Sequence, residues 1–404
     1  MKNIFLGFII LVLFSCSLQK RQYASFSSPK DFSEIHQLPV DSSSGTIIHL
    51  DNPLNKIEMK DLIEKALYIP LETRANSLIG YYQKIIIYNN YIYVYDGVAA
   101  EGVLIFKMNG RFVSKIGVKG GGPDELSLLR GMSIDRKQNL LILYDNGKRK
   151  LMYYTLLGKF VKSVDVKFRF SGKFACLSTG ETVAATGKND ENRHLESLNE
   201  YRLVYSDSAG DIIKVAFRYD DNEKLYIAWS DLFYSDDELV YHPQFLNSIY
   251  SVLSDSVKLR FTFDLSKFSA FENDRISVFD SDDEFDEYRS RCCSVEPEIS
   301  ENKTHLSFSL YDKGKRYYYF YDKRSNKAIG FKNIVWSGSN IVNLPVLSSY
   351  REYFISVMPV GLLQDYYDYC CKNGAFISNE LKMIIEKSDS EDNSILVLFK
   401  LREL

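Results

Sequence analysis

Asn90-Tyr-Ile-Tyr-Val-Tyr-Asp96 has a counterpart 49 residues on, Asn139-Leu-Leu-Ile-Leu-Tyr-Asp145. Each is followed by a second matched stretch. After the first comes Val103-Leu-Ile-Phe-Lys-Met-Asn-Gly-Arg-Phe-Val-Ser-Lys-Ile116; after the second, Lys150-Leu-Met-Tyr-Tyr-Thr-Leu-Leu-Gly-Lys-Phe-Val-Lys-Ser-Val164. Gly110 and Gly158 are 48 residues apart, as are Phe112 and Phe160. A looser third copy is Tyr201-Arg-Leu-Val-Tyr-Ser-Asp-Ser-Ala-Gly210, continued by Asp211-Ile-Ile-Lys-Val215. Aromatic and branched side chains favour a pleated, half-buried surface, and polar turn residues separate them at hairpin spacing. One copy therefore reads as four short strands, at 131–135, 140–144, 151–155 and 160–166. Antiparallel four-stranded units repeating at this period describe propeller blades. A solenoid would need shorter repeats, and a sandwich would not repeat.

Outward from this centre the copies degrade but remain traceable. The stretches 248–263 and 317–329 have the form of a third strand, a turn and a fourth strand. Between them, 264–300 reads as an acidic, partly helical insertion. Near the end, 362–372 and 380–387 have helical spacing, with Gly374 as a stop, and 394–401 is a final strand. Roughly 360 folded residues at about 50 per blade, less the insertions, give six blades. The fold class is all-β, a six-bladed β-propeller of four-stranded antiparallel blades with small helical insertions near the C-terminus. Pairing 68–72 with 395–401 in one blade would close the ring and remove two free edges.

The turns carry expectations of their own. Asn109-Gly110 has the dipeptide of a two-residue type I′ turn, while Leu157 resists positive φ, so the Gly158 turn would be longer with Gly alone left-handed. Valine at Gly110 or Gly158 should be costly, valine at Gly120 should crowd a crossing between blades, and valine at Gly45 should cost nothing.

The N-terminus reads differently. Met1-Lys2 is a short positive segment, and Ile4 to Phe14 is an apolar run too short to span a bilayer permanently. Leu13-Phe14-Ser15-Cys16 resembles the lipobox of bacterial lipoproteins, in which the cysteine is lipidated and becomes the mature N-terminus. The expected organisation is a signal peptide with its lipobox cysteine over 1–16, a flexible tether over 17–45, rich in Ser, Lys, Gln and Asp, and the propeller over 46–404. The domain would then be exported and held to the outer membrane by its lipid, facing the periplasm or the surface.

With 50 basic and 53 acidic residues mixed along the chain and a net charge of −3, there is no concentrated basic footprint for nucleic acid. Of the six cysteines, Cys176, Cys292, Cys293, Cys370 and Cys371 follow Cys16. An odd number with two adjacent pairs is not a disulfide framework. No Cys-x-x-Cys occurs and the five histidines are scattered, so neither zinc nor any other cofactor is expected.

Taken together, the chain resembles the six-bladed β-propeller lipoproteins of Gram-negative bacteria, related in blade form to NHL-repeat propellers. The lipobox carries the likeness, with Ile69-Pro-Leu-Glu-Thr73, Ile116-Gly-Val-Lys-Gly-Gly-Gly-Pro-Asp-Glu125 and Glu391-Asp-Asn-Ser-Ile-Leu-Val-Leu-Phe-Lys400. The resemblance covers nearly the whole mature chain, although the family more often has Gly where Asp124 stands. It implies the fold and the location, and no settled chemistry.

The residues themselves offer little catalysis. Lys119-Gly-Gly-Gly-Pro-Asp-Glu125 lacks the Gly-Lys-Ser/Thr of a phosphate loop and suits a tight crossing between blades. Asp96 and Asp145 occupy equivalent strand ends, where a carboxylate accepts backbone N–H bonds. Asp280–Glu287 lacks the glycine and distal glutamate of a calcium loop and suits a helix start. No Gly-x-Ser-x-Gly or His-Glu-x-x-His occurs. The tyrosine clusters at 81–95, 317–321 and 366–369 suit packing between blades, with sugar stacking as the functional alternative.

The expected function is a binding or scaffold module for an unknown protein, peptide or glycan, with a lyase or hydrolase of glycans or peptides as the alternative. The candidate ligand face gathers the loops 97–102, 119–125 and 146–149, with Glu101, Lys119, Asp124, Glu125, Lys148 and Arg149 as its polar residues. A channel mouth lined by Asp, Glu, His and Arg would favour the enzyme, and one filled by Tyr, Phe and Leu the binding module.

Overall fold

The structure, a computed structural model, describes residues 34–117, 119–120, 122–187, 190–219, 231–243, 246–269, 282–335, 341–342, 344–374 and 377–404. Cys16, the rest of the expected signal peptide and most of the expected tether lie outside them.

Six sheets are arranged as six blades. Blade 1 is Lys84–Tyr88, Tyr91–Asp96, Gly102–Lys107 and Phe112–Ile116. Blade 2 is Leu129–Asp135, Leu140–Asp145, Lys150–Thr155 and Phe160–Asp165, within a residue or two of the strands read from the repeat. Blade 3 contains Phe174–Cys176, Thr182–Ala185, Tyr201–Ser206 and Ile212–Arg218. Blade 4 contains Asp231–Ser235, Glu238–His242, Ser248–Val252 and Val257–Asp264. In blade 5 the inner strand is split into Cys293–Val295 and Ser300–Glu301, ahead of His305–Asp312, Lys315–Asp322 and Lys327–Val335. Among the described residues of the expected insertion over 264–300, Asp282–Arg291 is helix, and the end of the stretch supplies an inner strand.

Blade 6 closes the ring as expected. Its inner strands Ser348–Tyr350 and Tyr353–Met358 precede Ile395–Leu401, which pairs antiparallel with the N-terminal Ile63–Pro70, Leu396 opposite Ile69 and Val397 opposite Tyr68. Between them stand the helices Val360–Asn373 and Asn379–Lys387. Gly374, at φ +63°, ends the first, and the Ser378 hydroxyl caps the second by accepting the Leu381 N–H.

The stretch expected to be tether, 17–45, contains short strands from His36 onward. From His36 the chain is already bound to the propeller rim: His36–Gln37 adds in parallel to the outer strand of blade 3, Val40–Asp41 and Thr46–His49 to blade 4, and Leu54–Glu58 to blade 5. This belt covers three outer edges that would otherwise present unpaired N–H and C=O groups. Gly45 belongs to it, and a Cβ there would stand 2.6 Å from Leu259 Cγ. Its substitution is therefore not neutral.

Six buried apolar clusters fill the spaces between neighbouring blades, one to each interface. Between blades 1 and 2, for instance, Tyr93, Ile105 and Val103 meet Met132, Leu141 and Tyr154. Buried tyrosines bring their polar tip to the next element: Tyr93 donates to Leu156 O (3.1 Å), Tyr95 to Leu129 O (2.8 Å) and Tyr319 to Asp51 O (2.8 Å). The ring supplies buried area and the hydroxyl a directed bond, which accounts for tyrosine at strand spacing.

The third-to-fourth-strand turns correct one expectation. Gly110, Gly158 and Gly210 have φ of +82°, +94° and +84°, whereas Asn109 does not have positive φ. Each turn has one left-handed glycine followed by a register shift, the longer hairpin turn with a bulge rather than type I′. Positive φ at two successive residues occurs instead at Asn89-Asn90, in the first hairpin of blade 1.

Candidate functional site

The innermost strands line a central channel that encloses about 290 Å³. One of its mouths opens into a depression of about 830 Å³. Its rim is made by the first hairpin turns: Asn89 from blade 1, Arg136 from blade 2, Asp236 and Asp237 from blade 4, Lys303 from blade 5, Arg351 and Glu352 from blade 6. Half-buried Tyr88, Tyr234, Tyr350 and Tyr353 form its walls.

Strand alternation places these rings. Tyr88 and Tyr350 are the last residues before their turns, and both line the depression. Arg136 reaches across the mouth from blade 2 to blade 4, donating to Asp236 O (2.6 Å) and pairing with Asp237. Its guanidinium lies 4.5 Å from the Tyr234 ring centroid and 5.9 Å from that of Tyr88. A cation held over aromatic faces keeps the rings oriented and the rim polar. Arg351 lies over Tyr350 in the same way, at 5.1 Å. The mouth thus mixes aromatic faces with both signs of charge, and no histidine lines it among the described residues.

The six residues chosen from sequence are at the opposite ends of the strands, around the crossing from blade 1 to blade 2. Lys119 pairs with Glu101 at 3.0 Å. The Lys148 ammonium donates to the carbonyls of Gly122 (2.6 Å) and Glu125 (2.7 Å), and the Glu125 carboxylate accepts the Gly122 N–H (2.6 Å). The Asp124 carbonyl accepts the Tyr154 hydroxyl, and the Arg149 carbonyl accepts the Val166 N–H. The structure brings these residues together, and most of their polar groups are spent on holding the crossing.

Asp96 and Asp145 hold equivalent crossings. Asp96 accepts the N–H groups of Gly80, Val98, Ala99 and Ala100, and Asp145 those of Ser127, Leu128 and Lys148. Burial alone would raise the Asp96 carboxyl, but the four backbone donors outweigh it and hold it below its ordinary value. Among the described residues no group of three or more His, Cys, Asp and Glu side chains is placed to hold a metal ion.

The mouth residues were not singled out from the sequence. The signal available was positional: each is at, or beside, the first turn of a blade, where Asn89, Asn139, Asp236 and Arg351 take positive φ.

A family model covers residues 45–400, the belt from Gly45 to nearly the last residue of the closing strand. The chain belongs to the DUF4934 family. That family is described as a domain of unknown function. None of the curated proteins compared matches this DUF4934 chain. Among solved structures it is similar to a protein from Bacteroides fragilis described as exported, at 20% identity and a TM-score of 0.68 over 89% of this chain and 100% of that one. It is also similar to a member of the DUF4221 family from Bacteroides vulgatus, at 10% identity and a TM-score of 0.50 over 85% of this chain and 98% of that one. At these identities the likeness is one of fold. Among the described residues no helix is long and apolar enough to cross a membrane.

Proposed function

We propose that this DUF4934 propeller is an exported, lipid-anchored binding module that takes a peptide or glycan segment at the hairpin-turn mouth of its channel. The observation that carries the reading is the depression of about 830 Å³, where turns from five blades meet around four tyrosines. Rings with accessible faces beside fixed charges suit a ligand that alternates apolar faces with polar groups, as sugars and peptides do. Leu13-Phe14-Ser15-Cys16 supports anchorage to the outer membrane through Cys16, and the belt would carry the chain from the lipid to the rim.

Capture of the full chain on a glycan array and a peptide array tests this. The Tyr350→Ala/Tyr353→Ala double variant should lose at least tenfold in capture while keeping its melting temperature within a few degrees. Equal capture by the double variant, or no capture of the unaltered chain on either array, overturns the reading. For the anchor, Cys16→Ser should leave the membrane fraction or stall in processing, and normal fractionation would refute it.

A further inference from the structure

The six innermost strands can be read in register from their first hairpin turns. The first turns begin at Asn89, Arg136, Ser178, Asp236, Lys303 and Arg351, and five residues before them stand Lys84, Gly131, Lys173, Asp231, Glu298 and Val346, in blade order. All except Gly131 line the channel, so these positions form a ring at one height in the lumen. Three residues before the turns the next ring is Ile86, Ser133, Ala175, Phe233, Ser300 and Ser348, without a charge.

The charged ring is polarised. Its cations come from blades 1 and 3 and its anions from blades 4 and 5. Lys173 and Asp231, on adjacent blades, pair at 2.9 Å. Among the described residues the Lys84 ammonium and the Glu298 carboxylate make no side-chain hydrogen bond or ion pair, and Glu298 acts on the Lys173 ammonium only through its field, behind Asp231. His242, opposite Asp231 in the second strand of blade 4, is drawn down to about 4 by burial and is uncharged at neutral pH, so it does not alter this balance. Lys84 itself is pulled down to about 8, by burial first and then by the neighbouring Lys173 ammonium, with Asp231 opposing. An ammonium in that position gains from any negative group brought beside it.

A simple anion entering the lumen would meet Glu298 as well as Lys84, and a simple cation would meet Lys84 as well as Glu298. Only a ligand with charges of both signs completes both groups. We propose that the lumen is a binding site for a small zwitterion, an amino acid or short peptide whose carboxylate is taken by Lys84 and whose ammonium is taken by Glu298. The Lys173–Asp231 pair forms the fixed wall between them, and Ile86 and Phe233 give the ligand an apolar floor. A lumen of about 290 Å³ is at the small end of ligand sites, which suits this size class. The site does not depend on the mouth being a peptide or glycan site, because its residues and its ligand chemistry are separate.

The test is a thermal-shift screen of the full chain in detergent at pH 7 against the proteinogenic amino acids and a set of unblocked dipeptides. Titration calorimetry of the best binder and of its N-acetylated and C-amidated forms then follows. At least one zwitterion should raise the melting temperature by several degrees, and blocking either terminus should weaken it at least tenfold. Lys84→Met and Glu298→Gln should each lose the response while melting like the parent without ligand, and Lys84→Arg should keep it. Three results overturn the proposal: no shift from any zwitterion, blocked forms that bind within twofold of the free one, or both single variants binding like the parent.

Discussion

A Cβ on Gly110 would stand 1.8 Å from the Pro70 carbonyl oxygen. Gly110 is the left-handed residue of the turn between the third and fourth strands of blade 1, and Pro70 ends the outer strand of blade 6. The same relation recurs round the ring. Gly158 of blade 2 is against Ile116, the end of the outer strand of blade 1, and Gly210 of blade 3 is against the Asp165 carbonyl, at the end of blade 2. The repeat glycine therefore serves two needs at once, a positive φ and a close approach to the preceding blade.

Gly110→Val should accordingly cost more than Gly158→Val. Both meet the strain of a branched side chain at positive φ, on the order of 1–3 kcal/mol. Only Gly110 also faces backbone, whereas Gly158 faces the Ile116 side chain at 3.0 Å, which can yield. Gly314→Ala, at φ +78° with nothing within 4 Å, isolates the φ strain and should cost about 1 kcal/mol. Equilibrium denaturation of the three variants gives the order. Equal losses would show that the contact with Pro70 adds nothing.

Ring closure makes a larger claim. Ile395, Leu396, Val397, Leu398, Phe399 and Leu401 are all buried in the closing strand. At about 1.5–3 kcal/mol for each buried apolar side chain, their loss is on the order of 10 kcal/mol, as much as a whole domain's stability. Deleting 394–404 should leave a chain without a cooperative melting transition. A truncated chain that melted within a few degrees of the parent would sink the closure argument.

The blades were legible because alternation and turn residues recur at one spacing in Asn90–Asp96 and Asn139–Asp145. The belt was not. His36–Gln37 and Val40–Asp41 are two-residue strands added in parallel, and what fixes them is the free edge of blades 3 and 4, not a local pattern. The split inner strand of blade 5 reads as insertion because Pro297 and the adjacent helix interrupt its alternation. The mouth is distributed over five blades, at most a few residues from each, and the charged ring over four, one residue from each. At the ring position the residue is Lys, Gly, Lys, Asp, Glu or Val, so the repeat fixes the place and hides the chemistry.

Thiol chemistry follows from burial. Cys176, Cys292, Cys293 and Cys370 are buried and unpaired, and Cys371 is exposed. Burial pushes the Cys293 thiol up to about 12, and burial with the nearby Asp135 carboxylate does the same to Cys176. Since the thiolate is the reactive form, a disulfide reagent at pH 8 should modify Cys371 quickly and the four buried thiols only after denaturation. Mass mapping of the modified peptides checks this. Fast modification of Cys176 or Cys293 in the folded protein would contradict their packing.

Acid stability should depend on Asp322. Its carboxyl is fully buried, and burial alone would raise it. The outweighing contacts are the Arg324 side chain and N–H, the Leu404 N–H and the charge of His305, and together they hold it at about 2. A carboxyl lowered on folding binds fewer protons in the native than in the unfolded chain, so its contribution is fully present above the unfolded value near 3.8. It is lost as pH falls through about 2. Asp322→Asn should therefore be less stable than the parent at pH 6, and the difference should shrink steadily between pH 4 and 2. The contact with Leu404 joins blade 5 to the chain end just past the closing strand, so the same variant should also speed exchange of the Leu404 amide. Denaturant midpoints across pH 2–6 measure the first effect and hydrogen exchange the second. A pH-independent difference would mean that Asp322 acts through its shape and not through its charge.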